Sequence, residues 1–155
     1  MNHNDIDHWN SVLENIVPQN LRNIRVVKED DIIIYKEYGV NPRNREFIYE
    51  DNLAAYKKGK HLSFLRGDFN NNGKEDISLA CLNPSERNSY LVILEKENNN
   101  YRLANYFQFK ARIFFVCGIN KNMIDLCFQS GTDWTEQVYW DGRDYVLKED
   151  DPYGP

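Results

Sequence analysis

The sequence predicts a mainly β protein, α+β by count, in which one short N-terminal helix precedes antiparallel β-hairpin units. Three observations carry this expectation. Ile6, Trp9, Val12, Leu13, Ile16 and Val17 fall on one stripe of a 3.6-residue period. From residue 61 onward, short runs rich in β-branched and aromatic residues alternate with turns rich in Asn, Asp and Gly. The order of those runs and turns then occurs a second time. With 155 residues, the chain has enough length for one domain with a real core, and the whole of 1–155 is expected to form it.

Each element has its own signal. The helix is expected over residues 5–17, capped by Asn4 or Asp5, ended by Pro18 and packed on a sheet through Trp9. Strands are expected at Ile24 to Val27 and at the β-branched run Ile32-Ile33-Ile34-Tyr35, with Lys28 to Asp31 as the turn between them. After a loop around Pro42, a further strand is expected over Arg45 to Glu50. Leu53 to Lys58 forms one helical turn or an irregular connection, broken by Gly59.

The first β-unit runs from about His61 to Phe107. It comprises His61 to Arg66, a polar loop Gly67 to Asp76, the strand Ile77 to Leu82, and a hairpin of Tyr90 to Glu95 with Tyr101 to Asn105. The second runs from about Phe109 to Glu149, with strands at Arg112 to Cys117, Ile124 to Phe128, Gln137 to Trp140 and Arg143 to Leu147. Asp141-Gly142 is a strong hairpin signal. Gly67 corresponds to Gly118, Asp76 to Asp125 and Tyr101 to Tyr145, and residues 150–155 form a frayed tail.

Composition narrows the partners. Lys and Arg total 19 against 24 Asp and Glu, a net charge of −5, and there is no basic block, which argues against nucleic acid and anionic membrane. Lys57, Lys58, Lys60 and Arg66 read as a solvated rim. No apolar run approaches the roughly 20 residues that span a bilayer. The polar start of the chain has no signal-peptide pattern, which leaves two compartments: extracytoplasmic if a leader was removed, cytoplasmic otherwise. Cys81, Cys117 and Cys127 lie in apolar runs without metal-ligand spacing, so buried free thiols are expected. A Cys117–Cys127 bridge is the alternative in an oxidising compartment.

The stretch Gly67-Asp68-Phe69-Asn70-Asn71-Asn72-Gly73-Lys74-Glu75-Asp76-Ile77 resembles the signature of FG-GAP or VCBS-type repeats, whose members build integrin-type β-propellers. One good copy and one degenerate copy are present. The chain is too short for the roughly 4–8 blades of a propeller, so blade-like units short of a complete propeller are expected. The resemblance implies a calcium loop. Asp68, Asn70, Asn72 and Asp76 offer side-chain oxygens and Lys74 its carbonyl, while Gly73 permits the turn. With two carboxylates, affinity is expected at the weak end, about 10⁻⁴–10⁻³ M. The alternative is a metal-free turn, since Asn and Asp side chains bond their own backbone. The second copy has Ile119 in place of Asp68 and is expected to hold no ion.

No phosphate-cradling glycine loop, nucleophile elbow or paired-histidine metal motif occurs. His3 and His8 are expected on the surface, and His61 is a lone strand histidine. Trp134, Tyr139, Trp140 and Tyr145 are either a partner surface or cross-strand packing. The expected function is a non-enzymatic module that binds another protein, with calcium as a structural brace. The alternatives are an inhibitor or immunity-type protein and an enzyme with a carboxylate site assembled in space, acting on glycans.

Overall fold

The computed structural model describes residues 3–35, 43, 45–110, 112–120, 122–129 and 135–150. Strand accounts for 46% and helix for 24%, so the mainly β expectation holds. Helix α1 (His3–Ile16) leads to a 3₁₀ turn (Gln19–Leu21), strand β1 (Arg25–Val26), α2 (Glu29–Ile34) and α3 (Arg45–Lys57). Strands β2 (Phe64–Gly67), β3 (Asp76–Asn83), β4 (Asn88–Glu97) and β5 (Asn100–Lys110) follow, then β6 (Phe114–Asn120), β7 (Met123–Phe128), β8 (Thr135–Trp140) and β9 (Tyr145–Asp150).

Two antiparallel sheets result. In the first, β3, β4 and β5 form a meander, and the far edge of β3 is shared by β2 over Asp76 to Leu79 and by β1 over Cys81 and Leu82. In the second, β6 to β9 are ordered as in the chain. Among the described residues neither sheet closes into a barrel or propeller. No helix there is long and apolar enough to cross a membrane.

Strand β3 is buried on both faces, and its alternation sorts the core. Ile77, Leu79 and Cys81 join Ile6, Trp9 and Leu13 of α1 in one cluster. Ala80 and Leu82 join Phe114, Ile124, Leu126 and Val138 of the second sheet in the other. The first sheet is therefore covered by α1 on one side and by the second sheet on the other.

Two strand expectations are corrected. Ile32-Ile33-Ile34-Tyr35 is not a buried strand. It lies at the end of α2, where Ile32 is buried but Ile33 and Ile34 are 48% and 62% exposed. The buried Asp31 carboxylate decides this. It accepts from both terminal guanidinium nitrogens of Arg25 at 2.7 Å and from the Lys28 N–H at 2.9 Å, which closes the first helical turn. Arg45 to Glu50 is likewise helical and continues through Lys57 as α3. Tyr49, Leu53 and Tyr56 recur at helical spacing and pack on the core. Gly59, at φ 75°, ends the helix, while the Lys60 N–H reaches back to the Ala55 carbonyl at 2.9 Å.

Other boundaries shift less. The strand expected from His61 begins at Phe64. Leu62 instead forms an isolated bridge to Val116. The Asp141-Gly142 turn closes the β8–β9 hairpin as expected, with the Asp141 carboxylate accepting from the Arg143 and Asp144 N–H groups. Of the cysteines, Cys81 is a buried free thiol as expected. Cys117 and Cys127 correct that expectation, for they are disulfide-bonded across β6 and β7 with Cα atoms 5.9 Å apart.

Gly67 marks a close approach between the sheets. A Cβ there would meet the buried Phe69 ring at 2.8 Å and Ile119 Cδ1 at 2.9 Å. Gly67→Ala is expected to cost about 1–3 kcal/mol, the usual range for overpacking, and urea denaturation measures it. A loss within error would mean that the Phe69 ring yields freely.

Candidate functional site

The polar loop between β2 and β3 is folded by its own side chains. The two carboxylate oxygens of Asp68 accept from the Asn72 N–H at 3.0 Å and the Gly73 N–H at 2.8 Å. Asn72 Oδ1 accepts from the Lys74 N–H at 2.9 Å, and Gly73 adopts φ 81° to make the turn. Asp76, at the foot of β3, closes the loop, with Oδ2 accepting from the Phe69 N–H at 3.0 Å. Of the five residues expected at the site, Asp68, Asn70, Asn72 and Lys74 thus lie in the loop and Asp76 begins β3.

Two oxygens here are poorly satisfied. Asp76 is fully buried; its Oδ1 makes no well-formed hydrogen bond among the described residues, although the buried Tyr145 hydroxyl lies against this carboxylate, and the buried Oδ1 of Asn70 makes none either. Burial pushes the Asp76 carboxyl up to about 6. The Phe69 N–H opposes that shift, while the charges of Glu95 and Asp68 add to it.

Glu95 is the residue that sequence reasoning missed. It faces Asp76 directly in the β3–β4 register, and two carboxylates in that position repel. Its two oxygens are held by Asn70 Nδ2 at 3.0 Å and by the guanidinium of Arg102, its register partner on β5. A glutamate closing the apolar run Tyr90 to Leu94 is a faint signal that it points inward.

The four aromatic candidates separate. Trp140 and Tyr145 are cross-strand partners on β8 and β9 and meet edge to face, with ring centroids 5.0 Å apart. Tyr145 is 5% exposed and belongs to the core, and its hydroxyl makes no well-formed hydrogen bond among the described residues. Burial, with the charges of Asp76 and Glu95 and a hydrogen-bonding contact of the hydroxyl with the Asp76 carboxylate added, pushes the Tyr145 phenol up. Tyr139 and Trp140 are half-buried, and Trp134 lies outside the described residues. Beside Glu95 and Tyr145 is a shallow depression of about 190 Å³, lined also by Arg102, Asn105, Trp140 and Arg143.

Register also relates the two sheets. Gly67 pairs with Asp76 across β2 and β3, and Gly118 pairs with Asp125 across β6 and β7. In the second case the strands stay paired as far as Asn120 and Met123, and the Asp125 carboxylate is bonded by Gln137 Nε2 at 2.6 Å. Compared with known proteins, the chain matches no family model, no curated protein and no solved structure.

Proposed function

We propose that this chain is a non-enzymatic, β-rich protein-binding module whose first sheet is braced by calcium at the Asp68–Asp76 loop. The supporting observation is the pair of buried oxygens, Asp76 Oδ1 and Asn70 Oδ1, that make no well-formed hydrogen bond among the described residues. A buried acceptor left unsatisfied costs about 1–3 kcal/mol, and more when it is charged. A hard cation relieves that cost, because calcium takes carboxylate and amide oxygens. Asp76 and Asn70 would hold it from the buried side, and Asp68, Asn72 and the Lys74 carbonyl from the loop. The two carboxylates of the loop, with Glu95 facing Asp76, supply the negative charge. Calcium there would offset carboxylate repulsion and tie the loop to β3.

Shallow relief around Trp140 and Glu95 suits a protein partner better than a small substrate, which needs an enclosing cleft. Glu95 is committed to Arg102 and Asn70 and is poorly placed to act as a catalytic acid.

Titration calorimetry of chelator-treated protein with calcium tests the brace. Binding near 10⁻⁴–10⁻³ M is expected, with a rise in melting temperature of roughly 3–10 °C in 10 mM calcium. Asp76→Asn should abolish both signals. No heat and no thermal shift in the wild-type protein would sink the proposal.

A further inference from the structure

A second donor cluster lies away from the polar loop in sequence. One imidazole nitrogen of His61 and the sulphurs of Cys117 and Cys127 all lie within 4.8 Å of one another. It is the one group of three or more His, Cys, Asp or Glu ligand atoms this close among the described residues. The residues come from three places in the chain: the segment after α3, strand β6 and strand β7.

Each is positioned by backbone structure. On one side of His61, the Lys60 N–H is tied to the Ala55 carbonyl at the end of α3. On the other, Leu62 exchanges two 2.9 Å hydrogen bonds with Val116, the residue before Cys117. The imidazole stacks on Phe115, with ring centroids 5.4 Å apart and planes 11° apart. Phe115 faces Cys127 in the β6–β7 register. That register slips between Val116 and Gly118, so Cys117 is the extra residue of a β-bulge, a feature that re-aims a side chain. The bulge turns Cys117 towards Cys127.

His61 has an open valence. Its Nδ1 is buried and has no hydrogen-bond partner among the described residues. A histidine held on both flanks and stacked on an aromatic ring, with a buried Nδ1 that has no hydrogen-bond partner among the described residues and one ring nitrogen close to two sulphurs, is more than a packed side chain. Two thiolates and one imidazole match a soft tetrahedral cation, with water completing the fourth position.

We propose that His61, Cys117 and Cys127 form a zinc site that opens when the Cys117–Cys127 bridge is reduced, so that the pair alternates between disulfide and metal-bound thiolates. A dithiol reductant supplies two electrons and two protons. The S–S bond breaks, two thiols form and the reductant leaves as its own disulfide. Zinc then takes the two sulphurs as thiolates, releasing two protons to solvent, and the neutral imidazole donates a nitrogen lone pair. Reoxidation by a disulfide of the same class removes two electrons from the thiolates, restores the S–S bond and expels the ion. In the oxidised state the covalent bond joins β6 and β7. In the reduced state the metal joins the same strands and adds the segment after α3. Cys81, buried in the other core cluster, takes no part.

The test uses the full chain, oxidised or reduced without air and then freed of reductant, with zinc alone as the probe. Metal analysis after desalting, with competition against a chromophoric chelator, is expected to find one zinc per reduced chain and none per oxidised chain. Cobalt in place of zinc should give thiolate-to-metal absorption in the reduced protein only. His61→Gln leaves the disulfide able to form, which guards against a variant that simply fails to fold. It is expected to weaken zinc binding by more than about 100-fold, since loss of even an outer-shell partner costs about 10–100-fold. Cys127→Ser should abolish the cobalt absorption. Equal zinc in oxidised and reduced protein, no zinc in either, or a His61→Gln variant with wild-type affinity would each overturn the site.

Discussion

Asp76→Asn is expected to stabilise the calcium-free protein by about 3 kcal/mol at pH 8 and by less than about 1 kcal/mol at pH 4. The wild-type carboxyl is raised from its ordinary 3.8 to about 6, chiefly by burial. The folded state therefore holds this proton more tightly than the unfolded state. That preference favours folding fully below pH 3.8 and is lost as the pH rises through about 6. Above that window the folded protein keeps a buried charge whose Oδ1 makes no well-formed hydrogen bond among the described residues.

Asparagine removes the charge and keeps an oxygen to accept from the Phe69 N–H. Urea denaturation in chelator at the two pH values measures the difference. In 10 mM calcium the gap should narrow by about 1.4–2.7 kcal/mol, because the wild-type carboxylate gains a ligand that the variant cannot hold. If the variant is less stable than wild type at pH 8 in chelator, the carboxylate is already satisfied, and the case for a cation there fails with it.

Trp9→Ala is expected to cost about 3–5 kcal/mol, the range for truncating a buried aromatic residue. Trp9 is 1% exposed and is the main bulk with which α1 covers the outer face of the first sheet. Its ring meets Tyr101 edge-on at 5.2 Å, lies 6.0 Å from Phe64 and carries the Arg66 guanidinium 5.6 Å from its centre. Its removal leaves a cavity over Ile77 and Leu79 that neighbouring β3 residues, themselves buried on the opposite face, cannot close. Chemical denaturation reads the loss, and Trp9→Phe should recover part of it. A cost below about 1 kcal/mol would mean that α1 is only loosely docked.

These two residues differ in how far the sequence foretold them. The packing of Trp9 was legible because one apolar stripe on a helix has a single way to be buried. Asp76 was legible as a loop terminus and as a candidate ligand. Its burial and the charge it faces were not, because these depend on other strands: Glu95, opposite it on β4, lies 19 positions along. The isoleucines of α2 failed for a similar reason. Three β-branched residues in a row favour a strand when nothing else acts. Arg25 and Asp31 do act, through a bidentate pair that stabilises the helical turn and leaves two of the isoleucines in solvent. In α3 the apolar positions Tyr49, Leu53 and Tyr56 straddle what local patterning divided into a strand and a separate turn.

What the sequence determined by itself is the alternation of strand and turn from residue 61 onward, the amphipathic first helix and the polar loop Gly67 to Asp76. Each is encoded within a few residues, through side-chain periodicity and the turn chemistry of Gly, Asn and Asp. Only the tertiary structure decided which faces meet. It set Asp76 against Glu95, drew Tyr145 into the core and brought His61 to the two cysteines. The physical reason is that periodicity encodes which way a side chain points along its own strand, whereas a site needs groups from separate strands at one point. Strand register, the β6 bulge at Cys117 and the Leu62–Val116 bridge supply that convergence.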